Sequence, residues 1–300
     1  MSDLSRLPWP ELRGSLRFNV PLRDYSWFRV GGPADLLFVP EDEEDLALFL
    51  QALPEDIPLL VLGLGSNLLV RDGGFRGAVI RLGKGFQTAR IVDGLTLQVG
   101  AGIADVKVAR MAAEAGIAGL SFLRGIPGTI GGALRMNAGA YGGEIKDVFV
   151  SARGLDRQGR LHLVDRAMMG FSYRHTAIAD DLIFTRAELR GMGGDPATIL
   201  AEMNKVTEAR SATQPVNTRT GGSTFRNPPG HKAWELIDQA GFRGVRRGGA
   251  EVSPLHTNFL VAHEGATAAE LEALGEDMIR KVFEQSGIRL EWEIKRVGEA

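Results

Sequence analysis

Apolar and polar positions along the chain keep switching between a helical and a strand-like period. Within residues 41–53 an acidic first turn precedes Leu46, Phe49, Leu50 and Leu53 at helical spacing, and Pro54 closes the run; the spacing predicts an amphipathic helix. Residues 104–115, followed by Gly116, predict a second helix, and 196–209, with Ile199, Leu200, Met203 and Val206 on one side, a third. Between them the short apolar runs 57–62, 78–82, 95–99, 148–155, 161–164 and 183–189 read as strands. After a polar stretch at 211–220 the pattern resumes with a short helix at 231–240 ended by Gly241, a strand at 258–262, and a long helix at 267–286. Thr267 and Glu270 fit the capping-box spacing at the start of that helix. The last run, 289–297, alternates as a strand: Leu290, Trp292 and Ile294 share one face, Glu291, Glu293 and Lys295 the other. Periodicity does not choose between the two glutamates.

Two glycine-bearing segments interrupt this alternation. Residues 121–142 read SFLRGIPGTIGGALRMNAGAYG, in which Gly125, Gly128, Gly131 and Gly132 can leave main-chain N–H groups uncovered, a concavity suited to diphosphate oxygens. A glycine-rich structural turn is the alternative. The second segment, 63–80, starts where the buried strand at 57–62 empties into Gly65, Ser66 and Asn67, which offer backbone donors, a hydroxyl and an amide. Neither segment carries the Gly-x-Gly-x-x-Gly of a dinucleotide βαβ unit or the Gly-Lys-Ser/Thr of a nucleoside triphosphate loop. A third segment, Gly221-Gly-Ser-Thr-Phe-Arg-Asn-Pro228, places Ser223 between two glycines and an aromatic residue. It reads as an ordinary turn or as a site, and it lacks the Gly-x-Ser-x-Gly of a nucleophilic serine.

Composition narrows the chemistry. Three hundred residues suffice for two or three subdomains, and a domain boundary is expected near residue 200. A net charge of −2 provides no global field for nucleic acid or anionic lipid. With no cysteine, thiolate, disulfide and iron–sulfur chemistry are excluded, and the five histidines never fall at metal-ligand spacing. Redox work would therefore need an organic cofactor. No signal-like or membrane-spanning apolar run stands out, so a soluble cytoplasmic protein is expected.

The segments around Gly63, Gly125 and Ser223 and the closing Leu-Glu-Trp-Glu-Ile, in this order, resemble the UDP-N-acetylenolpyruvoylglucosamine reductase family over nearly the whole chain. The resemblance implies an α+β protein: an FAD-binding domain of the vanillyl-alcohol oxidase (PCMH) type over 1–200, in two subdomains split near 75, plus a C-terminal α+β substrate-binding domain over 201–300. It implies non-covalent FAD against Gly63, Gly65, Ser66, Asn67 and Leu68 and against Gly125, Ile126, Gly128, Thr129, Gly131 and Gly132, with Asn137 and Gly139 passing near the isoalloxazine. NADPH is the implied hydride donor and a UDP-sugar the substrate, in a chain expected to be a monomer with no nucleic acid or membrane partner.

By the same resemblance Ser223 is the proton donor, Arg174 of Phe-Ser-Tyr-Arg meets the substrate carboxylate, and Glu293 is the second glutamate of the family's Leu-Glu-x-Glu ending. Tyr173, Asn227 and Lys232 are implied substrate contacts. Some members carry a tyrosine-bearing loop over the nucleotide sugar, but no tyrosine follows Tyr173 here, so the chain resembles the shorter type. Gln214, Arg219, Lys232 and His256 are then the possibilities for holding the uridine diphosphate end. Two other readings remain: an FAD oxidoreductase of the same fold acting on an alcohol, lactone or hydroxy acid, and a non-catalytic nucleotide-binding protein. The first leaves the Gly-Gly-Ser-Thr-Phe segment unexplained; the second predicts loss at Arg174, Ser223 or Glu293, and all three are present.

Overall fold

A computed structural model describes residues 4–300. The chain forms two compact units interleaved in sequence: Met1–Phe18, Leu36–Leu64 and Gly77–Ala209 in the first, and Asn19–Asp35, Gly65–Arg76 and Arg210–Ala300 in the second.

In the first unit the expected helix at 41–53 is Glu43–Ala52, started by the Asp42 side chain, which accepts from the amides of Glu44 and Asp45. Leu46, Phe49 and Leu50 bury against Leu36, Phe38, Ala78 and Ile80, where Phe38 stacks on Phe49 at 4.4 Å. The strand Leu59–Leu62 lies parallel to Phe75–Arg81, with Leu59 opposite Ala78. A five-stranded antiparallel sheet follows, in the order Leu161–Val164, Phe149–Leu155, Ile183–Arg190, Thr96–Gly100, Ala89–Ile91. One side of it packs into a cluster with Val108, Ala109 and Ala112 of the helix Asp105–Glu114 and Ile130 and Leu134 of the helix Ile130–Met136. These elements carry the glycine segment at 121–142.

The second unit has its own core, in which Phe28, Leu69, Phe225, Leu260, Leu271, Met278 and Ile294 are buried together. Its antiparallel sheet runs Thr220–Ser223, Phe259–Ala262, Ala250–Val252, Arg246–Arg247, and the helix Ala268–Ser286 packs over the last three strands. That helix starts with the capping box of Thr267 and Glu270, and the Asp72 carboxylate also accepts from the amides of Ala268 (3.0 Å) and Ala269 (2.9 Å). Arg71 pairs bidentately with Glu272 of the same helix at 2.9 and 2.7 Å. No helix among the described residues is long and apolar enough to cross a membrane.

The closing segment differs from expectation. Only Lys295–Val297 is a strand, parallel to Leu68–Val70. Residues 291–294 give their main-chain groups to the serine turn instead of to a ladder: Arg226 N–H donates to Glu291 O (2.9 Å) and Glu293 N–H to Thr224 O (2.8 Å). The alternation survives as burial, with Leu290 and Ile294 buried and Glu291 exposed.

Candidate functional site

The first unit contributes the glycine turn. Ile103 and Ala101, just before the helix Asp105–Glu114, accept from the amides of Ile130 (3.1 Å) and Gly131 (2.8 Å), and Asp105 N–H donates to Gly128 O (3.1 Å). The Gly131 amide is thus already engaged, and a side chain there would press on Ala101. Gly131 serves close packing and does not present its N–H to a ligand. Gly125 is glycine because a Cβ would stand 2.9 Å from the Tyr141 ring, and Gly63 because a Cβ would stand 2.7 Å from Thr129 Oγ1. Of Gly63, Gly125, Gly131, Gly132 and Gly139, only Gly132 has no such neighbour: the nearest atom to a Cβ there is Thr129 Oγ1, 3.9 Å away. Glycine inside a helix costs about 0.5–1 kcal/mol relative to alanine. At Gly132 the surrounding protein does not call for it, which fits a surface that a ligand approaches.

Ile126 closes the turn by donating to Leu123 O (3.1 Å). Asn137, which the resemblance brings near the flavin ring, is fully buried with its amide committed to protein: Nδ2 donates to Glu144 Oε2 (2.8 Å) and Ser172 O (2.9 Å), and Oδ1 accepts from Lys146 N–H (3.0 Å). Its φ of 43° ends the helix Ile130–Met136 in the left-handed region. Asn137 therefore organises the chain around Arg174. Ser172 and His175 exchange both main-chain hydrogen bonds at 3.0 and 3.2 Å, leaving Tyr173 and Arg174 as a two-residue turn. Arg174 sits at φ 54°, a position that glycine or asparagine normally takes. Its Nη2 donates to Gly139 O (2.9 Å), and a Cβ on Gly139 would meet Glu144 and the Arg174 guanidinium. Lys146 first, then Asn137, with Arg174 adding, hold the Glu144 carboxyl below its ordinary range. The Arg174 guanidinium is thus held by the Gly139 carbonyl with the Glu144 carboxylate nearby, on main chain in a strained region. Tyr173 is exposed beside it, its ring 5.3 Å from the guanidinium.

The second unit contributes the serine turn, and here distant segments converge. Gly65 takes φ 66°, with a Cβ excluded by the Tyr25 carbonyl, and its own carbonyl accepts from Trp27 N–H (3.0 Å). Ser66 O lies 3.8 Å from where a Cβ on Gly222 would stand. The Asn67 side chain donates to Glu293 O (3.2 Å) and Asn67 O accepts from Lys295 N–H (3.1 Å). Leu68 is buried in the strand that follows. Ser223 is thus held near both the Gly65–Asn67 turn and the Glu293 segment. Glu293 is half-buried, whereas Glu291 is exposed and enters the turn only through its carbonyl. Gly221 is glycine because a Cβ there would strike Phe28.

Asn258 completes the turn, and its role had no motif to announce it. Oδ1 accepts from Phe225 N–H (2.9 Å), Nδ2 donates to Phe225 O (2.8 Å), and its carbonyl accepts from Thr224 N–H (2.8 Å). The signal available in the sequence was a run of polar residues, His256-Thr-Asn258, at the mouth of an apolar strand. Burial pushes the His256 imidazole below its ordinary value, in keeping with Nδ1 accepting from Asn258 N–H (3.3 Å). Asn227 Oδ1 accepts from Ala233 N–H (3.0 Å). Lys232 is exposed, 3.3 Å from Glu235 and 6.0 Å above the Trp234 ring.

A family profile described as the C-terminal domain of UDP-N-acetylenolpyruvoylglucosamine reductase matches residues 214–297, the part that holds the serine turn and Glu293. A second, described as an FAD-binding domain, matches 34–165. A UDP-N-acetylenolpyruvoylglucosamine reductase of Azorhizobium caulinodans is 62% identical over 289 residues, 96% of this chain and 94% of that protein. The chain belongs to the UDP-N-acetylenolpyruvoylglucosamine reductase family. Membership makes it an FAD-binding oxidoreductase of peptidoglycan precursor synthesis. A relative of the same description in Methylorubrum populi is 58% identical over 297 residues, 99% of this chain and 96% of that one. The crystal structure of UDP-N-acetylenolpyruvylglucosamine reductase from Thermus caldophilus aligns with a TM-score of 0.81 at 36% identity, covering 96% of this chain and all of that one. A 6-hydroxy-D-nicotine oxidase from Arthrobacter nicotinovorans, at 14% identity and a TM-score of 0.51, shares the fold alone.

Proposed function

We propose that the chain reduces the enolpyruvyl double bond of UDP-N-acetyl-3-O-(1-carboxyvinyl)-glucosamine to give UDP-N-acetylmuramate, with FAD held non-covalently and NADPH as hydride source. The observation that supports it most is the meeting of the Ser223 turn with the Glu293 segment and Asn67 inside one unit, in a chain of this family. Bound FAD would supply the hydride that NADPH replaces. Reduction at the terminal carbon leaves negative charge on the substrate carboxylate and calls for a proton at the adjacent carbon. Arg174 provides fixed positive charge for that carboxylate, Ser223 Oγ delivers the proton, and Glu293 is the proton-sharing partner. Tyr173 and Asn227 contact the substrate and Lys232 its diphosphate. The Gly65–Leu68 and Gly125–Gly132 turns hold FAD, with Gly132 open to it. In this reading residues 1–200 bind flavin, in two subdomains split near 75, and 201–300 bind the UDP-sugar, in a cytoplasmic monomer.

The purified protein should be yellow. Acid precipitation should leave all flavin in the supernatant, because the chain has no cysteine and neither glycine turn a histidine. Under anaerobic conditions NADPH should bleach the colour and the enolpyruvyl substrate should restore it. Colour kept by the pellet would overturn non-covalent binding, and bleached protein unmoved by the substrate would overturn the substrate assignment.

A further inference from the structure

Asp105 opens the helix Asp105–Glu114 beside the Gly128 turn. Its N–H bonds Gly128 O, Ala104 bridges to Thr129, and Ile103 O takes the Ile130 N–H, so the chain on both sides is tied to that turn. Its carboxyl is wholly buried, and no donor reaches either oxygen in good hydrogen-bond geometry, the Gly128 amide being the one that lies against it. A bare buried carboxylate is expensive, and a proton removes the charge. Burial pushes this carboxyl well above its ordinary range, opposed in part by the Gly128 amide.

The ionisable residues on the elements packed here all have other engagements or lie in solvent. On the same helix Lys107 is exposed and Arg110 pairs with Glu114 at 2.8 Å. On the Ser121–Gly125 turn Arg124 bonds Thr207 Oγ1 at 2.9 Å, and on the helix Ile130–Met136 Arg135 bonds the carbonyls of Ile178 (3.1 Å) and Ala179 (2.8 Å).

We propose that Asp105 is a proton site coupled to flavin binding: a proton on its carboxyl and a diphosphate at the Gly128 turn each favour the other. The inference rests on the reading that this turn takes the FAD diphosphate. An ionised carboxyl would put like charge behind the turn that takes the diphosphate, where little water screens it, whereas the neutral acid carries no charge. The coupling is reciprocal, so raising the pH weakens FAD binding and bound FAD holds the proton. Asp105 is a positioning residue, distinct from the groups that touch the reacting carbons.

Holoenzyme is equilibrated across a series of buffers from about pH 6 to pH 9, and free FAD is read by fluorescence in the ultrafiltrate. For the wild type the FAD dissociation constant should climb with pH, approaching about tenfold per unit once the flavin-free carboxyl ionises. Asp105→Asn should lie flat over the same range, and Asp105→Ser, also uncharged, carries the same expectation if the asparagine variant does not fold. A flat wild-type profile, or the same slope in wild type and variant, overturns the coupling. A protein that binds FAD at no pH removes the flavin reading itself.

Discussion

The turns at 125–132 and 221–227 both lead with glycine, yet they are held in different ways. In the first, Gly125 and Gly131 let Tyr141 and Ala101 come close, and the partners lie within a few tens of residues. In the second, Gly221 packs on Phe28, and the serine's turn is held by hydrogen bonds between Thr224, Phe225 and Arg226 and residues Asn258, Glu291 and Glu293, with Asn67 tied to the same stretch of chain. The first is a local shape built by close contact of main chain; the second exists only once segments far apart in sequence have met. A close-packed turn can be encoded in one stretch, whereas a turn held by distant segments must be assembled.

The comparison can be broken most sharply at Ser223. The bonds that hold its turn use Thr224, Phe225 and Arg226, so Ser223→Ala should keep the turn, the flavin and bleaching by NADPH. Reoxidation by the enolpyruvyl substrate should slow by about a thousandfold, within the usual range for a positioned proton donor. Stopped-flow traces that show both half-reactions slowed alike would make the serine structural. Next in size is the pair of glutamates: Glu293→Gln should lower turnover about a hundredfold. Glu291→Gln, altering an exposed side chain, should stay within about twofold. The reverse order of sensitivity would show that the site is turned the other way along this segment.

The smallest effect is expected in the first unit, on stability. Arg174→Gly removes a left-handed penalty of about 1–2 kcal/mol, and loses about 1 kcal/mol of hydrogen bonding and 0.5–1 kcal/mol to glycine's freedom. Urea unfolding should therefore agree with wild type to within about 1 kcal/mol while activity disappears. A loss of more than about 2 kcal/mol would mean that Arg174 braces the fold.

Helices were legible where an apolar stripe and an end signal coincided, as at Asp42 and in the Thr267 capping box. The segment 289–297 was harder, because alternation reports which side chains are buried and is silent on where the main-chain groups go. There the partners are residues 224–226, which no local pattern names. Asn137 illustrates the same limit from the other direction: the resemblance brings it near the flavin ring, but its amide is taken by Glu144, Ser172 and Lys146. The part Asn258 plays in the serine turn and the burial of the Asp105 carboxyl were not visible in the sequence, since a polar side chain inside an apolar stretch reveals its surroundings only when its neighbours are known. The family resemblance supplied Ser223, Arg174 and Glu293 together; singly, each would have read as a turn or surface residue.

The parallel pairing of Leu68–Val70 with Lys295–Val297 has a consequence for how the protein is made. At translation speeds of about 5–20 residues per second, the early strand waits on the order of tens of seconds for its partner to be synthesised. During that interval Leu68, Leu69 and Val70, all buried in the finished protein, present an apolar strand edge to the surroundings. Until Lys295–Val297 has been made and docked, Asn67 cannot meet the Glu293 segment, and the serine turn stays unfinished.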